Sequence, residues 1–313
     1  MNLKPSESSV RWVDLSGLLF DEPFFHHTVK RAVGRESVGL PLGTMPPGPA
    51  QPSLAPSAFI FHVSRCGSTL LCNIFRALND AHVVAEPQPV TTLLTPYFED
   101  VWPYAFDEWE QKRDQLLLQM MQRLGQPPAG SASRYVVKFT SYSATRMAII
   151  RALWPQVPIV FLVREPEEVM ASNLERSPVW MKLFQNPRQA RNVFGWAEDI
   201  SPATREEFSA RAFGRLCESA LLHKGQPSLV MDYRELVSGG WNRIFAFLGF
   251  DALDEQEKHR ITEATKIYSK DASGELRFAS HDKANPDRVT PKIREAAEKW
   301  ARPQLQQLIR SSG

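Results

Sequence analysis

The chain of 313 residues is short of the side chains that announce metal, redox or membrane chemistry. Its three cysteines, Cys66, Cys72 and Cys217, form no Cys-x-x-Cys pair and no paired framework, so a reduced, intracellular setting is expected. The histidines show no zinc spacing. His26-His27 has no third ligand nearby and reads as a pair of helix histidines, and His281-Asp282 reads as a loop dipeptide, so no metal is expected. No apolar run approaches the roughly 18 residues of a membrane-spanning helix. Residues 1–11 lack the apolar stretch and small-residue cleavage site of a signal peptide. The expectation is a cytoplasmic protein with no membrane span. An excess of one charge is missing too: 37 Lys and Arg against 35 Asp and Glu leave a formal net charge of +2, too balanced for a general nucleic-acid binder. The 43% of hydrophobic residues is enough to build one large α/β domain or two small ones.

What is present is organised around Phe59-Ile60-Phe61-His62-Val63-Ser64-Arg65-Cys66-Gly67-Ser68-Thr69-Leu70-Leu71. An apolar run stops at a small-residue turn, and a helical pattern follows in Leu70, Leu71, Ile74, Phe75 and Leu78. The stretch predicts a buried strand, a tight loop and the start of a helix. A helix N-terminus after a turn offers unpaired N–H groups and the positive end of the dipole, which suit a phosphate.

Upstream, the scattered apolar residues of 12–35 suggest a short helical arm, and the Pro- and Gly-rich segment 39–57 a linker. An N-terminal arm and linker over 1–57 followed by an α/β domain over 58–313 is therefore expected. Downstream, apolar strands at 82–85, 134–140, 158–163 and 228–232 alternate with helical patterns at 90–100, 107–124, 146–154, 167–175 and 188–224. Further helices are expected at 240–248, 253–266 and 291–309, with 268–290 a polar loop. Such alternation predicts an α/β fold with a central, mostly parallel sheet flanked by helices. Ligands of such sheets bind beyond the carboxyl ends of the strands. Arg65, Glu86, Lys138, Arg164 and Tyr233 all stand at those ends.

The loop is not a normal triphosphate site. Aligned on G-x-x-x-x-G-K-[ST], Gly67 takes the second glycine, Ser68 stands where the lysine belongs, Thr69 takes the hydroxyl position and His62 the first glycine. Arg65 can supply the missing charge from within the loop, but no obvious Mg²⁺-binding aspartate follows the later strands, since Val163 leads into Arg164. A Ser/Gly turn that merely caps a helix also fits this segment alone. A second element weighs against that: Arg164-Glu165-Pro166-Glu167-Glu168-Val169-Met170-Ala171-Ser172 leaves another strand end, with Ser172 two helical turns beyond. Alone, Arg164 reads as a capping or salt-bridged arginine; beside a phosphate loop it becomes a second anion contact. A small-molecule or nucleotide kinase with a degenerate loop, and a non-catalytic nucleotide-binding module, stay open at this level.

With both elements quoted, the chain resembles the sulfotransferase family that uses 3′-phosphoadenosine 5′-phosphosulfate, in a layout closest to the tyrosylprotein and bacterial carbohydrate branches. That family's Arg-x-Gly-[Thr/Ser]-Thr-x-Leu loop is matched by Arg65-Cys66-Gly67-Ser68-Thr69-Leu70-Leu71, and its 3′-phosphate element by Arg164 through Ser172, with Glu165 in place of the usual aspartate. The resemblance spans about residues 58–283 and implies a P-loop-like sulfotransferase architecture with the phosphosulfate as co-substrate. It further implies that the N–H groups of Cys66, Gly67, Ser68, Thr69 and Leu70 hold the 5′-phosphate, that Glu86 is the general base, and that Arg65 and Lys138 stabilise charge on the transferring group. Tyr233 would lie on the adenosine side, and Ser269 and Lys283 would be a late pair of nucleotide contacts. The implied acceptor is a hydroxyl-bearing small molecule, carbohydrate or peptide; its identity and the oligomeric state are not legible. His62 and His82 are alternative bases, or else core or surface histidines. Tyr97, Phe98, Trp102, Tyr104, Phe106, Trp109, Trp180, Phe184 and Trp196 either line an acceptor cleft or belong to the core.

Overall fold

In the computed structural model the described residues are 9–15, 17–41, 52–95, 106–127, 132–197, 200–250, 253–266 and 288–312. They form seven strands: β1 Ser9–Val13, β2 Ser37–Pro41, β3 Pro56–His62, β4 Ala81–Ala85, β5 Arg134–Lys138, β6 Ile159–Val163 and β7 Ser228–Asp232. Five of these make one sheet in the order β4-β5-β3-β6-β7, and every pairing in it is parallel. The apolar runs explain the layering. All of β6 and the last five residues of β3 are buried, as strands covered by helices on both faces must be.

β3 is central. The chain leaves it towards β4 and β5 on one side, then crosses to β6 and β7 on the other. Connections diverge between β3 and β6, which is where an open parallel sheet leaves a crevice at its carboxyl edge. The ladders set what meets there. Lys138 is level with Ile60 of β3 and Ala85 of β4, and His62 is level with Leu162 of β6. Glu86, Lys138, the turn after His62, Arg164 and Tyr233 therefore follow the ends of five neighbouring parallel strands.

Three elements differ from the sequence reading. Residues 12–35 do not make a helical arm. β1 pairs antiparallel with β2, Trp12 opposite Val38, and only Phe25–Arg31 between them is helical. The pairing is between residues far apart in sequence, which local periodicity does not report. The expected helix at 188–224 is two, Pro187–Phe194 and Arg205–His223. Gly195 ends the first in a left-handed conformation (φ 62°), and Thr204 starts the second by accepting from Glu207 N–H. The C-terminal helix has a π segment at Ala297–Ala301, just before Pro303, whose ring nitrogen has no hydrogen to donate to the preceding turn.

The arm lies on the body of the protein. Arg76 donates from Nε to the Phe20 carbonyl (2.9 Å) and from a terminal nitrogen to the Glu22 carbonyl (2.8 Å). Phe25 and Thr28 are buried, and the Phe20 ring meets His82 edge-on at 5.1 Å.

Candidate active site

The turn after β3 is built from left-handed backbone. Among the described residues the non-glycine positions with positive φ are Ser64 (74°), Arg65 (50°) and Glu86 (55°), and Gly67 adds another at 79°. Such conformations cost about 1–3 kcal/mol each and collect where function demands a particular backbone path. Here they fall after β3 and after β4, with β5 between the two strands. Gly67 is further constrained: a Cβ there would lie 2.9 Å from the Tyr233 ring. Gly67→Ala should therefore lower stability by at least about 1 kcal/mol, as read by thermal unfolding.

Helix Ser68–Arg76 begins directly after Gly67, its first internal bond running from Leu71 N–H to the Gly67 carbonyl (3.0 Å). The N–H groups of Ser68, Thr69 and Leu70 precede that bond and have no acceptor within the helix. The hydroxyls of Ser68 and Thr69 are on buried residues at the same turn. Cys66 contributes backbone only. Its thiol is buried, donates to the Leu162 carbonyl (3.4 Å), and burial pushes its pKa up to about 12, so it is no nucleophile.

At the neighbouring strand ends stands an ion pair. The Glu86 N–H donates to the Lys138 carbonyl (2.7 Å), extending the β4–β5 ladder by one residue and bringing the two side chains together. Glu86 Oε1 lies 2.6 Å from Lys138 Nζ. Lys138 is 0% exposed, whereas the Glu86 side chain keeps 23% of its surface open. The contact is an ion pair rather than an aligned hydrogen bond, so the ammonium keeps donor capacity. His62 completes the group. Its Nδ1 accepts from Ser64 N–H (3.1 Å), which leaves the proton on Nε2; Nε2 donates to the Phe139 carbonyl (3.1 Å) and lies 3.9 Å from Glu86 Oε1.

The β6 side carries the second cluster. Arg164 donates from Nε to Glu168 Oε2 (2.7 Å) and from a terminal nitrogen to the Arg65 carbonyl (3.2 Å), and its guanidinium stacks 4.3 Å from the Tyr233 ring centroid. Glu168 also accepts from Arg234 (3.2 Å). Arg65 donates to the Arg176 carbonyl at the end of helix Pro166–Glu175. The buried Asn173 of that helix accepts from Ser64 Oγ at 3.3 Å. Two arginines, the backbone of the turn after β3 and Tyr233 thus form one contiguous group.

The residues singled out from sequence divide accordingly. Arg65, Cys66, Gly67, Arg164 and Tyr233 meet beyond the ends of β3, β6 and β7, and Glu86 meets Lys138 at the ends of β4 and β5. Ser172 is half-buried on helix Pro166–Glu175, where its neighbour Asn173 is the one that touches the loop. Ser269 and Lys283 lie outside the described residues, as do Tyr97, Phe98, Trp102, Tyr104 and the Phe106 side chain. His82 is a core histidine: Nε2 bonds the Leu124 carbonyl (2.7 Å), the ring stacks on Tyr135, and burial lowers its pKa. Trp180, Phe184 and Trp196 pack with Phe194 and Phe208 in an aromatic cluster, with Trp180–Phe194 and Trp196–Phe208 edge-on. Glu168, Asn173 and Phe24 were not singled out. Glu168 had a signal, its i,i+4 spacing from Arg164; the others are brought in by tertiary contact. Among the described residues no group of three or more His, Cys, Asp or Glu is placed to hold a metal ion, and no helix is long and apolar enough to cross a membrane.

No family model and no curated protein matches the chain. Among solved structures it is similar to the sulfotransferase domain from the curacin biosynthetic pathway, at 14% identity and TM-score 0.45 over 79% of this chain and 98% of that one. It is also similar to a sulfotransferase from Alicyclobacillus acidocaldarius, at 15% identity and TM-score 0.47 over 81% of this chain and 94% of that one. A third is the sulfotransferase domain from the Synechococcus PCC 7002 olefin synthase, at 17% identity and TM-score 0.41 over 82% and 98%.

Proposed function

We propose that the chain is a sulfotransferase that moves a sulfuryl group from 3′-phosphoadenosine 5′-phosphosulfate to an acceptor hydroxyl. The observation that carries this reading is Lys138. A wholly buried ammonium with one carboxylate at 2.6 Å and donor capacity left over is costly unless an anion completes its shell. It stands one strand away from a turn whose helix N–H groups suit a phosphate, and Arg164 lies beyond that turn. A triphosphate loop would carry its lysine at Ser68; here the cation is on the neighbouring strand, with a carboxylate beside it.

In this reading the N–H groups after Gly67 hold the 5′-phosphate and Arg164 meets the 3′-phosphate, where its existing partner Glu168 is shared with Arg234. The acceptor oxygen attacks sulfur in line, forming an S–O bond as the S–O bond to the 5′-phosphate breaks. The electron pair leaves with the adenosine 3′,5′-bisphosphate, and the acceptor proton passes to Glu86. Lys138 offsets the charge on the sulfuryl oxygens and Arg65 that on the departing phosphate oxygens. Catalysis of this kind rests on positioning and electrostatics. His62, fixed as the Nε2–H tautomer by Ser64, bounds the far side of Glu86.

Calorimetry tests the nucleotide assignment. Adenosine 3′,5′-bisphosphate should bind much more tightly than Mg-ATP; the reverse order would favour a kinase. Arg164→Ala should weaken the bisphosphate about 10–100-fold, the worth of a charged hydrogen bond, with far less effect on AMP. Equal loss for both nucleotides would overturn the 3′-phosphate assignment.

A further inference from the structure

The N-terminal arm, which the resemblance does not cover, reaches this site. Phe24 stands at the start of helix Phe25–Arg31, and its ring centroid lies 5.2 Å from Lys138 Nζ. His26 stacks on the same ring (centroids 5.7 Å, interplanar angle 16°), and His27 meets it edge-on at 5.6 Å. Burial is the largest influence on His26, lowering its pKa, with His27 and Lys30 acting the same way; the charge of Glu86 opposes them, so the helix lies within the carboxylate's field. The arm is held in this position. Arg76 binds its carbonyls at Phe20 and Glu22, Arg31 pairs with Asp21 (2.6 Å), and Phe25 and Thr28 are buried.

A ring over a fully buried ammonium does two things. Its negative face stabilises the cation, and its bulk keeps water away. Water matters because it is itself a nucleophile: attack by water on the bound donor would form an S–O bond to water, break the S–O bond to the 5′-phosphate, and yield sulfate, a proton and the bisphosphate.

We propose that Phe24 is a positioning residue of the active site, the arm's contribution to its acceptor-side wall, and that it directs the sulfuryl group to an acceptor hydroxyl by keeping water off the Lys138–Glu86 pair. This rests on the sulfotransferase reading above. The test uses the full chain with sulfur-labelled donor and no acceptor. Wild type should release labelled sulfate slowly. Phe24→Ala should release it at least tenfold faster, with bisphosphate affinity within twofold of wild type. Phe24→Leu, which keeps apolar bulk, should restore most of the protection, a rescue that a general loosening of the arm would not give. Reductive methylation of lysines, read by peptide mass spectrometry, follows the cover without any turnover. Lys138 should be protected in wild type and labelled at least tenfold more in Phe24→Ala. Unchanged sulfate release from a Phe24→Ala protein that binds bisphosphate normally would overturn the proposal, as would unchanged Lys138 labelling. Failure of wild type to bind the bisphosphate at all would instead remove the sulfotransferase reading, and this inference with it.

Discussion

Glu86→Gln is expected to reduce sulfuryl transfer by about 100- to 10,000-fold, the usual worth of a positioned general base, while bisphosphate affinity changes by less than about twofold. The amide keeps the shape of the side chain and an oxygen beside Lys138, but it cannot take the acceptor's proton. The measurement is initial-rate transfer of labelled sulfuryl to an acceptor found by screening, beside calorimetry with the bisphosphate. Wild-type turnover in the variant would make Glu86 the wrong base. Glu86→Ala is a harsher change. It strands the Lys138 ammonium in a place water does not reach, and removing one partner of a buried pair costs about 3–5 kcal/mol. A loss of transfer in that variant has to be read against its melting temperature, which the glutamine variant avoids.

Lys138→Met should have the second large effect. Methionine fills the buried stem volume without charge, and Glu86 keeps enough exposed surface for water to solvate it, so the fold should survive. Transfer should fall about 100- to 1,000-fold, the range for losing one preorganised donor to a developing charge. The variant separates donor from product. Lys138 is assigned to the sulfuryl oxygens, which the bisphosphate lacks, so affinity for the phosphosulfate should fall while affinity for the bisphosphate holds. If both fall together, Lys138 supports the phosphate loop and not the transferring group.

Much of the sheet is legible because its strands are written locally. Pro158–Val163 is an unbroken apolar run ending at a charged residue, and all five residues of β6 are buried. The run Ser228–Asp232 is reproduced to the residue as β7. The loop after β3 is legible for the same reason: Arg65 through Leu71 is contiguous, and glycine at 67 is forced by backbone and by the nearness of Tyr233 alike. The arm is where local reading fails. Val38 and Leu40 alternate as a strand should, but their partner is β1, with helix Phe25–Arg31 between, and nothing in either segment specifies the other.

The sequence by itself determined the parallel α/β sheet, the helix start after Gly67 and the set of charged residues at the strand ends, because each depends on spacing within a few residues. Only the tertiary structure decided who meets whom. The strand order β4-β5-β3-β6-β7 puts Lys138 between Ala85 and Ile60, and from that register follow the ion pair with Glu86, the burial of its ammonium and the approach of Phe24. Those contacts join residues 24, 62, 86 and 138, and the cost of burying a charge, which makes the site chemically specific, exists only once the chain has closed around it.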